Sequence, residues 1–176
     1  MKKKKEKKPL GLLLLVCMVL GLAGLDSTVA LAADNVPDSV WTDYAADEFA
    51  GGAGTKDDPY QIATAKQLAK LAKTVNSGAP GSDQSGKYFK LTANIDLSAH
   101  RWVPIGYGDA VGTSFSGFFD GGSNTITGMV VDETSNKKFA GLFGTIGVKS
   151  TDDAVVKNLT IENASVTVDT YDSSLY

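Results

Sequence analysis

The pattern of apolar and polar residues has a helical period in one stretch of the chain. Apolar residues recur there at positions i, i+3, i+4 and i+7 and form a single stripe, which consists of Leu68, Leu71, Ala72 and Val75. Thr64 and Gln67 have the spacing of a capping box, in which each side chain satisfies a backbone N–H of the first turn. Gly78 can end the helix in a left-handed conformation. The pattern therefore predicts one helix over residues 64–76.

Beyond this helix the pattern changes to a period of two. Every second residue from position 89 to position 97 is apolar, which predicts a strand with one buried face. The later apolar runs are all short and are bounded by Gly, Asn, Asp or Ser. The phase of the alternation changes at Asn163, where we expect a corner because Asn tolerates left-handed backbone angles. A series of short strands is therefore expected after residue 88.

Two stretches near the end of the chain resemble each other. Residues 115–121 and 139–145 align at an offset of 24, and the segments that follow them align at an offset of 30. The second alignment matches Ile126 with Val156, Met129 with Leu159 and Val131 with Ile161. The difference between the two offsets corresponds to a six-residue insertion in the polar link around residues 148–153. A period of this size, with a Gly-bearing corner and a short apolar strand in each unit, is typical of a solenoid.

The first 32 residues have the features of a signal peptide. Six lysines between positions 2 and 8 precede an apolar run over residues 10–25, and Ala30 and Ala32 form the small-x-small pattern of a cleavage site. The apolar run has 16 residues, fewer than the about 20 that span a bilayer, so an uncleaved membrane anchor is the weaker alternative. Cys17 lies within this run and is interpreted as part of the apolar core of the signal peptide. Cleavage is expected after Ala32.

The composition of the remaining 144 residues excludes several classes of function. They carry 11 basic and 18 acidic residues, a net charge of −7, which disfavours binding to nucleic acid or to anionic lipid. They contain no cysteine, so neither a disulfide framework nor a thiolate metal site is possible. Contact with a membrane is expected only through the signal peptide during export.

Several motifs resemble bacterial surface proteins that carry GLUG repeats. The Gly-Leu-x-Gly core of that repeat matches residues 141–144, and its usual lead-in is similar to five further stretches: residues 54–62, 65–72, 91–97, 102–106 and 115–121. The resemblance implies a mostly β fold, a right-handed parallel β-helix, on the bacterial exterior. Such repeats are often the stalk or adhesive part of a longer cell-wall protein, and some relatives join them to a zinc peptidase that cuts host immunoglobulin. The repeat-motif residues are then Gly141, Leu142, Phe143, Gly144, Phe115, Gly117, Phe119 and Gly121.

These features predict four segments. A signal peptide over residues 1–32 is followed by an acidic lead-in over residues 33–50, which Trp41 and Tyr44 are expected to dock. Residues 51–86 contain the helix and are expected to cap the open end of the solenoid, because exposed sheet edges invite pairing with other chains. Residues 87–176 form the GLUG-type repeats. Since no closing element follows them, we expect further repeats beyond Tyr176.

The candidates for catalysis are few. His100 and Arg101 are the only His and the only Arg in the chain. If the chain were a polysaccharide lyase, Arg101 would abstract a proton beside a uronic carboxylate that is held on Ca²⁺. The convergent carboxylates required there would come from Asp96, Asp120 and Asp132. Nothing in the spacing brings them together, so a solvated loop is the favoured interpretation.

Other reactive sites find little support in the sequence. A zinc peptidase needs two His residues in one helix, and one His is present. No G-x-S-x-G motif for a serine nucleophile occurs. Residues 51–57 approach a calcium-binding nonapeptide, but the Asp is one position late. We predict no catalytic residue, no metal and no cofactor in this segment, with Ca²⁺ as an alternative.

The candidate binding residues are Arg101, Trp102 and Tyr107, since Trp and Tyr rings can stack on a sugar. A packed corner is the favoured alternative for Trp102. Asn158 and Asn163 match the glycosylation pattern and are interpreted as strand and corner residues. The predicted function is a non-catalytic, exported surface module that binds a host or matrix protein or a glycan. The alternatives are a carbohydrate-active β-helix and the front part of a secreted zinc peptidase.

Overall fold

The computed structural model describes residues 36–107, 113–133, 139–147 and 154–168. They belong to one compact unit of the chain, Asp34–Tyr176. The predicted signal peptide, with its cleavage residues Ala30 and Ala32, and the polar link 148–153 lie outside the described residues.

The described residues form one 3₁₀ helix, one α-helix and nine short strands. The 3₁₀ helix spans Trp41–Tyr44 and α1 spans Ala65–Asn76. The strands are β1 (Tyr60–Ile62), β2 (Tyr88–Leu91), β3 (Ile95–Asp96), β4 (Phe118–Asp120), β5 (Thr125–Thr127), β6 (Val130–Glu133), β7 (Val155–Lys157), β8 (Thr160–Glu162) and β9 (Ser165–Val168). They make three sheets, with the orders β1-β2-β4-β7, β3-β5-β8 and β6-β9. Every pair of neighbouring strands in these sheets is parallel.

From β2 onwards, consecutive strands belong to different sheets, and the chain visits the sheets in a fixed order. We call β2–β3 the first pass, β4–β5–β6 the second pass and β7–β8–β9 the third pass. Each strand of one pass pairs with the corresponding strand of the next. The corner predicted at Asn163 is confirmed, since this residue has a φ of 52°, and Asn158 makes a second corner with a φ of 53°. The expected series of short strands after residue 88 is therefore present.

The register between passes differs from the repeat that the sequence predicts. Ile126 pairs with Ile161 and Val131 with Val166, a separation of 35 residues instead of 30. Phe143 lies beside Ile105, so residues 139–145 do not take the place of residues 115–121. The predicted alignment is wrong because aliphatic residues resemble one another at several offsets. The hydrogen-bonded ladder, in contrast, permits only one register.

The predicted strand over residues 89–97 is two strands in two sheets. Thr92 to Asn94 form a corner between β2 and β3. The N–H of Thr92 donates to the carbonyl of Ile62, and the side-chain oxygen of Asn94 accepts from the N–H of Thr125. The alternation continues across this corner, so Phe89, Leu91, Ile95 and Leu97 are all buried as predicted.

The helix is confirmed, with Thr64 as its N-cap. The hydroxyl of Thr64 accepts from the N–H of Gln67 at 3.3 Å, while the Gln67 side chain accepts from the N–H of Ala63, one residue before the cap. The predicted stripe of Leu68, Leu71, Ala72 and Val75 is completely buried, together with Ala69. In the part of the chain that the structure describes, no helix has the length and apolar character needed to cross a membrane.

The core lies between the three sheets and α1. Its aromatic side chains form a continuous series across the passes. The ring centroids are 6.0 Å apart for Phe89 and Phe115, 5.2 Å for Phe115 and Phe143, and 5.3 Å for Phe119 and Phe143. Such ring pairs add to the free energy gained by burying apolar area. Contacts between successive passes therefore hold the unit together.

The inward-facing side chain of Ile126 offers a test of this core. Replacing Ile126, which is fully buried, with Ala should lower the free energy of unfolding by about 2–5 kcal/mol, because a cavity remains between two passes. Thr127→Ala on the outward side of the same strand should change it by less than about 0.5 kcal/mol. Urea unfolding followed by circular dichroism measures both. Equal effects would contradict the assigned inward and outward faces.

Candidate binding surface

The acidic lead-in is docked on the side of the first pass by Trp41, as the sequence predicts. The Trp41 ring is 7% exposed, and its Nε1 donates to the carbonyl of Leu97 at 2.9 Å. Val40 and Arg101 form a parallel bridge, in which the N–H of Trp41 donates to the Arg101 carbonyl. The N–H of Arg101 donates in turn to the Ser39 carbonyl. The lead-in thus serves as an additional extended segment beside residues 97–101.

The ring of His100 connects the lead-in to the edge formed by residues 97–101. A hydrogen bond of 2.6 Å joins His100 Nδ1 to the hydroxyl of Ser39. The Trp41 ring meets the imidazole edge-on, with centroids 4.7 Å apart, and the Tyr44 ring stacks on it at 4.0 Å and 15°. Tyr44 remains 43% exposed. One face of its ring is therefore fixed by His100, while much of the side chain remains in contact with solvent.

Arg101 follows His100 in the chain, and its side chain is only partly exposed. Its Nη2 donates to the carbonyl of Asp38 at 3.1 Å, and its Nη1 lies 4.0 Å from Asp132 Oδ2. Its Nε is buried, and the described residues provide it with no hydrogen-bond partner. Tyr44, His100, Arg101 and Asp132 together form what we call the aromatic–cationic patch. The patch presents an aromatic ring, a cation and a carboxylate, a combination suited to binding polar ligands that contain apolar ring faces.

The carboxylates proposed for lyase chemistry do not converge. Asp96, Asp120 and Asp132 lie in β3, β4 and β6, which belong to three different sheets. Asp96 accepts from the N–H of Ser98 at 2.8 Å, and Asp120 accepts from the N–H of Gly122. Only Asp132 approaches Arg101. The lyase alternative would need these carboxylates together, whereas the corners send successive Asp residues to different sheets.

Trp102 is a core residue, in agreement with the favoured interpretation as a packed corner, and its ring is not accessible for stacking on a ligand. It is 1% exposed, and its Nε1 donates to the carbonyl of Leu142 at 3.0 Å. A large ring whose N–H is hydrogen-bonded gains more free energy from burial in the core than it would from remaining exposed to stack on a ligand. Tyr107 is partly buried, and its N–H donates to the side chain of Asn76. Of the three predicted binding residues, only Arg101 lies in the aromatic–cationic patch.

The Gly-Leu-x-Gly motif packs against the segment that contains Trp102. The carbonyl of Leu142 also accepts from the N–H of Ile105, and the N–H of Gly144 donates to the Ile105 carbonyl. A Cβ on Gly144 would lie 2.7 Å from the carbonyl oxygen of Gly106. Gly106 has a φ of 82°, which disfavours other residues. The motif therefore has a structural role, in which two glycines allow the two segments to approach closely.

Asn76 is a key residue that the sequence analysis treated only as part of a helix end. Its side-chain nitrogen donates to the carbonyl of Pro104 at 2.9 Å, and its oxygen accepts from the N–H groups of Gly106 and Tyr107, both at 2.9 Å. One side chain thus satisfies three backbone groups of a corner that lies about 30 residues away. The only feature of the sequence that could have indicated this role is an Asn at the end of a helix, followed later by a Pro-Ile-Gly corner.

Asp120 is held on the outside of the first sheet by Lys157 and Asn158. Lys157 Nζ lies 3.5 Å from Asp120 Oδ2, and Asn158 Nδ2 donates to Asp120 Oδ1 at 3.1 Å. Burial acts to raise the pKa of Asp120, but the hydrogen bonds from Gly122 and Asn158 and the charge of Lys157 outweigh it, so the pKa is lowered. Hydrogen bonds from Ser98 lower the pKa of Asp96 in the same way.

The glycine-rich turn over residues 51–58 is held by its own side chains. Asp58 Oδ2 accepts from the N–H of Ala53 at 3.0 Å, and the hydroxyl of Thr55 accepts from the N–H of Asp58. Within the four described ranges, no three His, Cys, Asp or Glu side chains are grouped in a way that could hold a metal ion. These hydrogen bonds fix the conformation of the turn.

The chain is similar to parts of two much longer proteins. It is 33% identical over 127 residues, 69% of its length, to a protein of Evansella cellulosilytica named "Putative Gly-rich membrane protein". It is 37% identical over 123 residues, 66% of its length, to Halomucin of Haloquadratum walsbyi. It covers 13% of the first relative and 1% of the second. No family model matches the chain, and no solved structure matches it.

The three hydrogen bonds of Asn76 predict a large effect of its removal. Asn76→Ala should lower the free energy of unfolding by about 2–4 kcal/mol, because partly buried backbone groups of residues 104–107 lose their partners. The neighbouring exposed Ser77→Ala should cost less than about 1 kcal/mol. Thermal and urea unfolding of both variants provide the comparison. A loss for Asn76→Ala no larger than that for Ser77→Ala would show that the corner does not depend on this side chain.

The lowered pKa of Asp120 predicts an acid-dependent contribution to stability. A carboxyl whose pKa is lower in the folded state stabilises the fold above its unfolded pKa of about 3.9, and this contribution is lost as the pH falls through the folded value. The difference in unfolding free energy between the wild type and Asp120→Asn should therefore be largest near neutral pH and shrink below about pH 4. Urea titrations from pH 7 to pH 2 measure it. Asp57→Asn, in the exposed glycine-rich turn, controls for the change in net charge.

Proposed function

We propose that this chain is an exported cell-surface repeat module that acts as a stalk or adhesive scaffold and performs no catalysis in the residues given. Its fold in this proposal is a right-handed parallel β-helix, with α1 as the cap at its N-terminal end. The names of the two relatives, a Gly-rich membrane protein and halomucin, support a location at the cell surface or outside the cell. The resemblance to GLUG repeats supports the same location.

The observation that carries this proposal is the parallel register of the passes. Equivalent positions on β1, β2, β4 and β7 align across one sheet, and the outward-facing set is Gln61, Lys90, Asp120 and Lys157. These side chains are polar and are partly or fully exposed. A unit built from such passes can lengthen by adding further passes without changing its core, which is the property required of a stalk. The outward positions remain free to present a surface to a partner.

The aromatic–cationic patch is the part of this surface that we assign to adhesion. Tyr44 is held by its stack on His100, so little side-chain entropy is lost when a ligand packs on its exposed part. Arg101, which follows His100 in the chain, and its neighbour Asp132 supply a cation and an acceptor for the polar groups of a glycan or a protein. Two of the three carboxylates required for lyase chemistry, Asp96 and Asp120, lie in other sheets than Asp132, which supports binding without reaction.

Binding to immobilised glycans and matrix proteins tests this assignment. The chain, expressed as residues 1–176 and purified from the secreted fraction, should bind at least one member of the panel. Tyr44→Ala should weaken that binding about tenfold or more, because the aromatic contact is lost, whereas Tyr44→Phe retains the ring and should bind nearly as well as the wild type.

Circular dichroism and thermal unfolding must show that both variants remain folded. Ser85→Ala, an exposed substitution in the loop before β2, serves as a surface control. Unchanged binding by Tyr44→Ala would remove the patch from the proposal. Retention of the wild-type chain inside the cell would contradict the surface location itself.

A further inference from the structure

The aromatic–cationic patch is built from two separate parts of the chain. Tyr44 belongs to the 3₁₀ helix of the lead-in. His100 and Arg101 come after β3, and Asp132 lies in β6. The stack of the Tyr44 ring on the imidazole of His100, with centroids 4.0 Å apart, therefore exists only while the lead-in lies against residues 97–101. The attachment of the lead-in decides whether the patch is complete.

One buried side chain anchors the first half of the lead-in. Among the described residues of the lead-in, Trp41 alone is buried, with 7% exposure. We call residues 38–44 the strap, whose 3₁₀ helix lies against α1 but has no side-chain N-cap. Apart from the ring contacts with His100, the strap is joined to His100 and Arg101 by hydrogen bonds. Such bonds add modestly to stability, because the same groups bond to water when they separate. Burial of Trp41 is therefore the principal attachment of the strap.

The second half of the lead-in is attached separately. The Phe49 ring packs against the rings of Tyr60 and Phe89, with centroids 4.9 Å and 5.6 Å apart. The N–H of Ala50 donates to the Gln61 carbonyl at 2.9 Å. Within the described chain, the strands of the three sheets pair with one another and include no residue of the strap. The strap can therefore leave its edge while this second attachment and the passes stay in place.

We propose that the strap opens and closes as a unit, and that Trp41 is the positioning residue that assembles the aromatic–cationic patch. In the open state the ring stack on His100 and the backbone hydrogen bonds to Arg101 are lost, while the passes stay folded. A glycan or protein that uses Tyr44 and any group of the passes together binds only the closed state. It shifts the population toward that state, and its apparent affinity falls with the fraction that is open. This binding step rests on the proposed function, whereas opening of the strap is a property of the free chain.

Proton NMR of the secreted chain, purified without a histidine tag, tests the proposal in the absence of any ligand. His100 is the only histidine, so its imidazole protons give signals that no other residue can produce. In the wild type the rings of Tyr44 and Trp41 should displace these signals from the positions of an unstacked imidazole. Trp41→Ala should abolish the whole displacement at the same pH, because Tyr44 leaves together with the strap. If the strap stayed closed, the contribution of Tyr44 would remain.

Two further variants control this measurement. Trp41→Phe keeps a ring that can be buried and should retain most of the displacement. Thr42→Ala changes a partly exposed neighbour in the same 3₁₀ helix and should leave the His100 signals as they are in the wild type. Wild-type signals at the positions of an unstacked imidazole would overturn the proposal, as would a contribution of Tyr44 that survives in Trp41→Ala.

Hydrogen exchange followed by mass spectrometry shows whether the opening is local. In Trp41→Ala the backbone N–H groups of residues 41 and 101 should exchange about tenfold or more faster, because their hydrogen bonds join the strap to its edge. Exchange in α1 and in β4, β5 and β6 should change by less than about twofold. An equal increase in all of these elements would mean that the strap opens only with the whole fold, which would overturn the proposal.

Binding to the immobilised panel of glycans and matrix proteins tests the link to the patch. Trp41→Ala should weaken binding about as much as Tyr44→Ala, and Trp41→Phe should bind nearly as well as the wild type. Binding that Trp41→Ala leaves unchanged, while Tyr44→Ala weakens it, would overturn the role of Trp41 as a positioning residue. A wild type that binds no member of the panel would contradict the proposed function, whereas the NMR and exchange results would still decide whether the strap opens.

Discussion

Packing of inward-facing side chains between successive passes is the interaction on which this structure depends. The strands have two to four residues each, too few to be stable as isolated pairs. Each strand is held because its apolar side chain lies against the equivalent one in the neighbouring pass, as Phe119 does beside Phe89 and Ile126 beside Ile95. Residues 33–176 contain no cysteine that could replace these contacts with a covalent link. The stability of the fold therefore comes from the repetition of one type of contact between successive passes.

This dependence explains why the corners need specific polar groups. A chain that changes sheet every few residues leaves backbone N–H and C=O groups unpaired at each corner, and each such group is costly when buried. Asn76, Asn94 and Asn124 satisfy these groups with their side chains. At Gly106 and Gly144, the absence of a side chain lets two segments come close enough to bond directly. The repeated packing and the corner chemistry are therefore two requirements of the same architecture.

The sequence predicted the features that depend on neighbouring residues. The helix, its N-cap, the alternation after residue 88 and the corner at Asn163 are all determined within a few positions, and the structure contains them. The register between passes was not predictable because it depends on contacts between residues 30 or more positions apart, where Ile, Val and Leu are interchangeable in an alignment. The role of Asn76 was hidden for the same reason.

The position of the lead-in accounts for the difference between the predicted and the observed candidate site. The Trp-Val-Pro-Ile-Gly corner suggested Trp102 as a binding residue, but the ring of Trp102 donates a hydrogen bond to the carbonyl of Leu142 in the core. Docking of Trp41 beside Leu97 then places a second aromatic residue, Tyr44, on the outside of the same edge. A ring held by its neighbours on an exposed edge can contact a partner, whereas a ring that fills the core cannot. The pairing of the Arg101 backbone with the lead-in places its side chain beside this edge.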